Sequence, residues 1–267
     1  MAASPVPQIE ALRHSHELLR AAVEPLDASQ LEQGSYDTEW SIAQVLSHLG
    51  SQAEIFGLFL DAGLDGKEPP GPDAFPPIWD RWNAKPPTEQ AADGLRADQD
   101  TLERFESLDE DQRASLRMNL FGMEIDAAGL AGMRLGEHSV HTWDVRVALD
   151  PAATVAPDAV ALLLDGLGQL AARSGKPDGQ PRKIRVTTTG PDRTFILETT
   201  ADAVTLTAAD DEATPELDRS ELGLSELTLP AEAFVRLVYG RLDAGHEPDA
   251  DNAGVELDEL RPLFPGF

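Results

Sequence analysis

The spacing of apolar residues switches from helical to alternating along this chain, one helix past a pair of prolines. Up to Leu149 they recur at helical spacing. Beyond Lys183 they alternate. Ile9, Leu12, Leu19 and Val23 share one face of a helix over about residues 7–24. A second helix opens at Ser41, where Ser-Ile-Ala-Gln fits a capping box, and carries Ile42, Val45, Leu46, Leu49, Ala53 and Phe56. A third follows Thr88 with Ala91, Leu95, Leu102 and Phe105 inward, and a fourth runs from about Asp126 to Leu149. Pro151 and the segment to Pro157 mark the change of domain. "DAVALLLDGLGQLAAR" reads as one more helix, and "KIRVTTTG", "TFILETT" and "AVTLTAA" as short strands of a meander. "LSELTLP" can add a strand, and Pro230 suits the first turn of a closing helix, "AEAFVRLVYGRLDAG". The expected fold class is α+β in two domains: a four-helix bundle over 1–152 and a small α+β domain over 153–267.

One segment interrupts the helical half. "GKEPPGPDAFPPIWDRWNAKPP" (66–87) holds seven prolines in 22 residues, which rules out a continuous helix. Phe75, Trp79 and Trp82 within it need burial or a ligand, and ordered loops of this length often cover sites.

Charge narrows the choice of partners. With 21 Lys and Arg against 48 Asp and Glu, the formal charge of −27 repels phosphate backbones and argues against nucleic-acid binding. Arginine far outnumbers lysine, a composition typical of GC-rich genomes. No stretch approaches the roughly 18 apolar residues that a membrane crossing needs. The start of the chain lacks the basic-then-apolar pattern of a secretory signal. A cytoplasmic location away from membranes is expected, as a monomer or homodimer. The absence of cysteine removes a Cys nucleophile, thiolate metal sites and disulfides together. Any metal must be held by His, Asp or Glu.

"GEHSVHTWDVRVAL" (136–149) places Glu137 and His141 one helical turn apart at the edge of the fourth helix's apolar face. An imidazole and a carboxylate at that spacing can reach one zinc ion, although the same pair also serves as a solvated hydrogen bond. The third ligand decides between these readings, and spacing leaves it open. His16 and His48 both lie on or beside apolar stripes, and His138 adjoins Glu137.

"DTEWSIAQVLSHLG" and "GEHSVHTWDVRVAL" resemble the two signature segments of the mycothiol-dependent maleylpyruvate isomerase family, within the broader DinB-like four-helix superfamily. The C-terminal "LPAEAFVRLVYGRLD" is similar to that family's sterol-carrier-protein-like second domain. The resemblance implies that His48, Glu137 and His141 bind one divalent metal, usually zinc, and that His138 is not a ligand. It further implies mycothiol, an actinobacterial small-molecule thiol, as the cosubstrate that fills an open metal position. The substrate is then an electrophilic small molecule, in the isomerase case a dianion. Arg81 in "IWDRW" and Arg241 in "YGR" are the candidate catalytic arginines for its carboxylates, with Arg236 behind them as a cofactor-binding candidate. Two other functions share these features. A mycothiol S-transferase acting on an electrophilic metabolite or natural-product intermediate keeps metal and thiol, and a non-catalytic metal-binding regulator keeps only the bundle.

Overall fold

Helix α1 (Val6–Val23) starts just after Pro5 and buries Ile9, Leu12, His16, Leu19 and Val23. The computed structural model describes residues 3–36, 39–209, 225–248, 251–253 and 255–266. Asp37, Thr38 and Leu224 of the segments quoted above lie outside them. A single turn, α2 (Ala28–Leu31), leads to α3 (Ile42–Asp65). At the start of α3, Ser41 accepts from the Gln44 N–H while the Gln44 side chain accepts from the Ser41 N–H, so two otherwise unmet donors are satisfied.

The proline-rich stretch is not bare loop. It contains a 3-10 turn at Pro72–Ala74 and helix α4 (Pro76–Asn83), whose prolines sit in the first turn, where a missing N–H does no harm. Phe75 and Trp82 are buried by it, and Trp79 stays partly exposed. Then come α5 (Pro87–Glu106), α6 (Glu110–Ser115) and a hairpin of β1 (Arg117–Leu120) and β2 (Met123–Asp126). The hairpin turns at Phe121 and Gly122, with φ of 53° and 85°. Asp126 ends β2 and caps α7 (Ala127–Leu149) by accepting from the Gly129 N–H. Strands of four residues are too short to show an alternation, so the hairpin leaves no trace in the sequence pattern.

Among the long helices, α1 packs on α5 and α7, and α3 packs on the same two. The four thereby enclose one core, in which Leu19 and Val23 of α1 meet Ile42, Val45, Leu46 and Leu49 of α3, Ala91 of α5 and Val145 of α7.

The chain divides into two compact units, Met1–Ala159 and Val160–Phe267. The division lies beyond the expected 152/153 boundary because residues 153–158 are tied to the bundle. Trp143 Nε1 donates to the Ala153 carbonyl (2.9 Å), Arg146 to the Thr154 carbonyl (3.0 Å), and His14 pairs with Asp158 (2.9 Å).

Helix α8 (Pro157–Leu163) spans the division, and a 3-10 turn at Leu164–Gly166 separates it from α9 (Leu167–Ser174). The single helix expected here is thus broken. A Cβ on Gly168 would stand 2.6 Å from the Leu206 carbonyl oxygen, so α9 packs backbone-close against the sheet. That sheet comprises β3 (Arg182–Thr189), β4 (Arg193–Thr199), β5 (Val204–Ala208), β6 (Ser225–Pro230) and β7 (Asp251–Ala253), in the order β5-β4-β3-β6-β7. The expected meander is β3-β4-β5. β6 returns to the far side of β3 and pairs with it in parallel, Val186 opposite Leu227.

Helix α10 (Ala231–Val238) is capped by Pro230, which is still extended, and ends well short of the expected Gly245. Gly240 has a φ of 72°, a left-handed conformation that stops the helix, and the chain returns against it at Gly266. Helix α11 (Leu257–Leu260) and a 3-10 turn at Arg261–Leu263 follow. Among the described residues, no helix is long and apolar enough to cross a membrane.

Candidate metal centre

His48 lies on the second turn of α3, and Glu137 and His141 on adjacent turns of α7. Their ligating atoms all fall within 4.8 Å of one another. His48 Nε2 is 3.4 Å from Glu137 Oε2, and His141 Nε2 is 3.8 Å from the same oxygen. The other ring nitrogen of His141, Nδ1, is 2.8 Å from Oδ2 of buried Asp144. A proton on Nδ1 donating to that carboxylate leaves the Nε2 lone pair facing the group, the arrangement by which a second carboxylate orients a metal-binding imidazole. The His48 and His141 rings are 4.6 Å apart. Trp40, partly exposed, lies 5.2 Å from His48 and nearly parallel to His141 at 6.4 Å.

Electrostatics prepare the group for a cation. Burial pushes the His48 pKa down, opposed in part by Glu137. Burial alone would raise Glu137, but the hydrogen bond from His48 and the charges of His141, His48 and Arg134 outweigh it and hold the carboxyl at about 2. A neutral imidazole and an ionised carboxylate are the protonation states a divalent metal requires. Donor types, spacing and protonation all fit a zinc-class ion.

A second group of similar composition lies deeper in the bundle. Asp98 of α5 places Oδ2 2.5 Å from His16 Nδ1 of α1 and 2.8 Å from His138 Nε2 of α7. His138 Nδ1 is 2.7 Å from the Ser15 hydroxyl and 3.2 Å from that of Thr142. His16, Asp98 and His138 also satisfy the distances of a metal site. Two features set them apart from the first group. Arg134 already neutralises Asp98 from its other oxygen, at 2.7 Å, and none of these side chains reaches solvent. Only the His48 group is partly open, so only it can admit a small-molecule ligand beside a metal.

The four histidines that spacing left undivided thus sort into two pairs, each around its own carboxylate. Asp98 and Arg134 were not singled out by the sequence pattern. A signal exists for Asp98, which falls on the apolar stripe of Ala91, Leu95, Leu102 and Phe105. A carboxylate on such a stripe needs buried partners.

Arg81 of α4 holds Glu54 with Nη2 at 2.5 and 2.6 Å from the two oxygens and is itself largely exposed. Arg236 of α10 is buried and engaged bidentately by Glu232, at 2.8 and 2.9 Å, with Nη1 on the His246 carbonyl. Arg241 is half-buried, with Nη1 donating to the Tyr239 carbonyl at 3.2 Å.

Comparison with known proteins adds three findings. A family profile described as "Mycothiol maleylpyruvate isomerase N-terminal domain" matches residues 12–146. A crystal structure of the mycothiol-dependent maleylpyruvate isomerase is 13% identical, with a TM-score of 0.64 over 89% of this chain and 90% of that one. A crystal structure of a histidine-to-alanine mutant of a mycothiol-dependent maleylpyruvate isomerase is 12% identical, with a TM-score of 0.66 over 93% of each chain. At such identity the likeness is one of fold, and it extends over both units. No curated protein matches the chain. The profile's span contains both histidine groups.

Proposed function

Because the chain belongs, through residues 12–146, to the mycothiol maleylpyruvate isomerase N-terminal domain family, we propose that it is a metal-dependent enzyme acting with a small-molecule thiol. The reaction favoured is isomerisation of the maleylpyruvate type. The observation that carries this is the His48, Glu137 and His141 cluster, partly open on one side and oriented from behind by Asp144. Those three residues would hold a divalent ion, zinc by donor type, with a position left for a ligand. When bound, the ion supplies acidification of a coordinated thiol, whose free pKa of about 8.5 leaves it mostly protonated at neutral pH.

The residues of the chain then have separable tasks. Asp144 keeps His141 in one tautomer and one rotamer. Glu137 contributes the negative charge that offsets part of the cation's. Trp40 lies beside the histidine pair and offers an aromatic face to a bound ligand. Thiolate addition to the activated double bond of maleylpyruvate makes that bond single and leaves the electron pair on the conjugated carbonyl. Rotation follows, and expulsion of the same thiolate restores the double bond in the trans form. Arg81 is a proposed carboxylate-binding group, by exchanging Glu54 for substrate, and Arg241 is a separate candidate on the second unit. Arg236 is the weaker candidate because Glu232 already occupies its guanidinium. The charge of −27 keeps nucleic acid out of this reading.

A titration of the cobalt-substituted protein with mycothiol tests the proposal. A sulfur-to-cobalt charge-transfer band and release of a proton are expected, together with mycothiol-dependent conversion of maleylpyruvate. A band without isomerisation moves the assignment to a mycothiol S-transferase on another electrophile. Cobalt uptake with no change on mycothiol addition overturns both and leaves a metal-binding regulator.

A further inference from the structure

The candidate ligands ride on two different helices, His48 on α3 and Glu137 with His141 on α7, so their convergence depends on how α3 is set against α7. One buried side chain bridges those helices beside the cluster. Arg134, a turn ahead of Glu137 on α7, donates from Nη2 to the main-chain carbonyl of Leu49 at 3.3 Å, and Leu49 directly follows His48 on α3. The same nitrogen meets Asp98 Oδ1 of α5 at 2.7 Å, and Asp98 is held by His16 of α1 and His138 of α7. Through one carboxylate and one guanidinium, all four long helices are joined at the level of the ligands.

This arrangement is a poor way to gain stability. Arg134 is fully buried, and its Nε and Nη1 have no hydrogen-bond partner. Its guanidinium carbon lies 5.8 Å from the Phe56 ring centroid, a contact that recovers part of the loss. Apolar side chains of similar volume often replace a buried ion pair without loss, because desolvation of the charges offsets their attraction. What an apolar core lacks is directionality. If α3 slides or rotates against α7, Arg134 loses the Leu49 carbonyl, and a charge with no access to water is left short of acceptors. Every register but one is penalised.

We infer that Arg134, anchored by Asp98, is a positioning residue that fixes α3 against α7 in the register where His48 meets Glu137 and His141. The inference rests on the metal reading given above.

Cobalt(II) affinity by chelator competition and the cobalt ligand-field spectrum test it on full-length wild type, Arg134→Met, Arg134→Lys and Asp98→Asn. Far-UV circular dichroism confirms folding at the assay temperature. Arg134→Met is expected to weaken cobalt binding by about 10- to 100-fold, the usual effect of removing support behind metal ligands, and to change the ligand-field bands. Arg134→Lys, able to reach one acceptor but not both, should recover part of the affinity. Asp98→Asn should show the same change in smaller degree, and it alone decides if Arg134→Met does not fold. A purely structural ion pair would lower thermal stability and leave affinity and spectrum at wild-type values. That result overturns the inference. If wild type itself takes up no cobalt, the metal reading fails and the inference fails with it. If wild type binds and the variants bind identically, only the inference fails.

Discussion

At Asp98, burial and charge pull in opposite directions. Burial raises a carboxyl pKa, yet the charge and close approach of His138, the hydrogen bond to His16 and the charge of Arg134 hold Asp98 well below its ordinary 3.8. A carboxyl depressed in the folded state adds stability that is fully present above its unfolded pKa of about 3.9 and is lost as pH falls through the folded value. Urea midpoints should therefore hold near neutral pH and drop below about pH 4, and Asp98→Asn should start lower and drop less. Equal slopes in the two proteins would contradict the assignment. Removing the group outright in Asp98→Ala should cost about 3–5 kcal/mol, because Arg134 is left buried without its counter-charge. The candidate ligands should behave differently. His48→Ala and His141→Ala are expected to lose bound metal, whereas His138→Gln keeps it at lower stability, and metal analysis of purified variants decides. The sequence shows the pattern that Glu137 and His141 share. It does not show that His138, between them, turns into the core, because that depends on Asp98 arriving from another helix, far along the chain.

Helix boundaries follow local chemistry and were therefore legible. The Ser41 capping box, the Asp126 cap and the prolines ahead of α1 and α5 are each readable from a few adjacent residues. Breaks set by a distant partner were not. The 3-10 turn at Leu164–Gly166 breaks the expected helix just ahead of Gly168, where α9 lies backbone-close to β5, and α10 stops where the C-terminal chain returns to Gly240. Gly94 shows the same cause between α3 and α5, where an added Cβ would stand 2.5 Å from the Leu46 carbonyl oxygen. Backbone cannot yield as a side chain can, so Gly94→Ala should force the helices apart and destabilise by about 1–3 kcal/mol in denaturant titration. A thermal midpoint unchanged from wild type would show that the helices part freely. The hairpin turn offers the opposite case. Phe121 holds a φ of 53° with half its surface exposed, in a turn that favours Asn-Gly. Phe121→Asn should raise stability by about 1 kcal/mol, since Asn tolerates the left-handed region that a bulky residue resists. A fall instead would mean that the Phe121 contacts with Phe59 and Phe75 outweigh the strain.

Across the whole molecule, the two units differ in how much of each can be inferred from order along the chain. The bundle's helices follow one another, and a periodic pattern reveals them in turn. In the sheet, the β3-β4-β5 meander was legible but the place of β6 was not, because β6 joins β3 only after β4 has taken its other side. That order has a consequence for synthesis. While the chain is being made, β3 has β4 beside it early, but its second edge stays unpaired until residues 225–230 have emerged, and open edges recruit strands from other molecules. β3 carries Arg182, Lys183 and Arg185, three of only 21 Lys and Arg in the chain, at the strand that waits longest. Charges so placed act as gatekeepers against mispairing. In the finished sheet Lys183 is partnered by Glu198 of β4. Replacing Lys183 and Arg185 together by Val should leave the native fold intact while raising the fraction that aggregates during refolding, read by light scattering after dilution from urea. An aggregation yield equal to that of wild type would show that the waiting edge needs no guard.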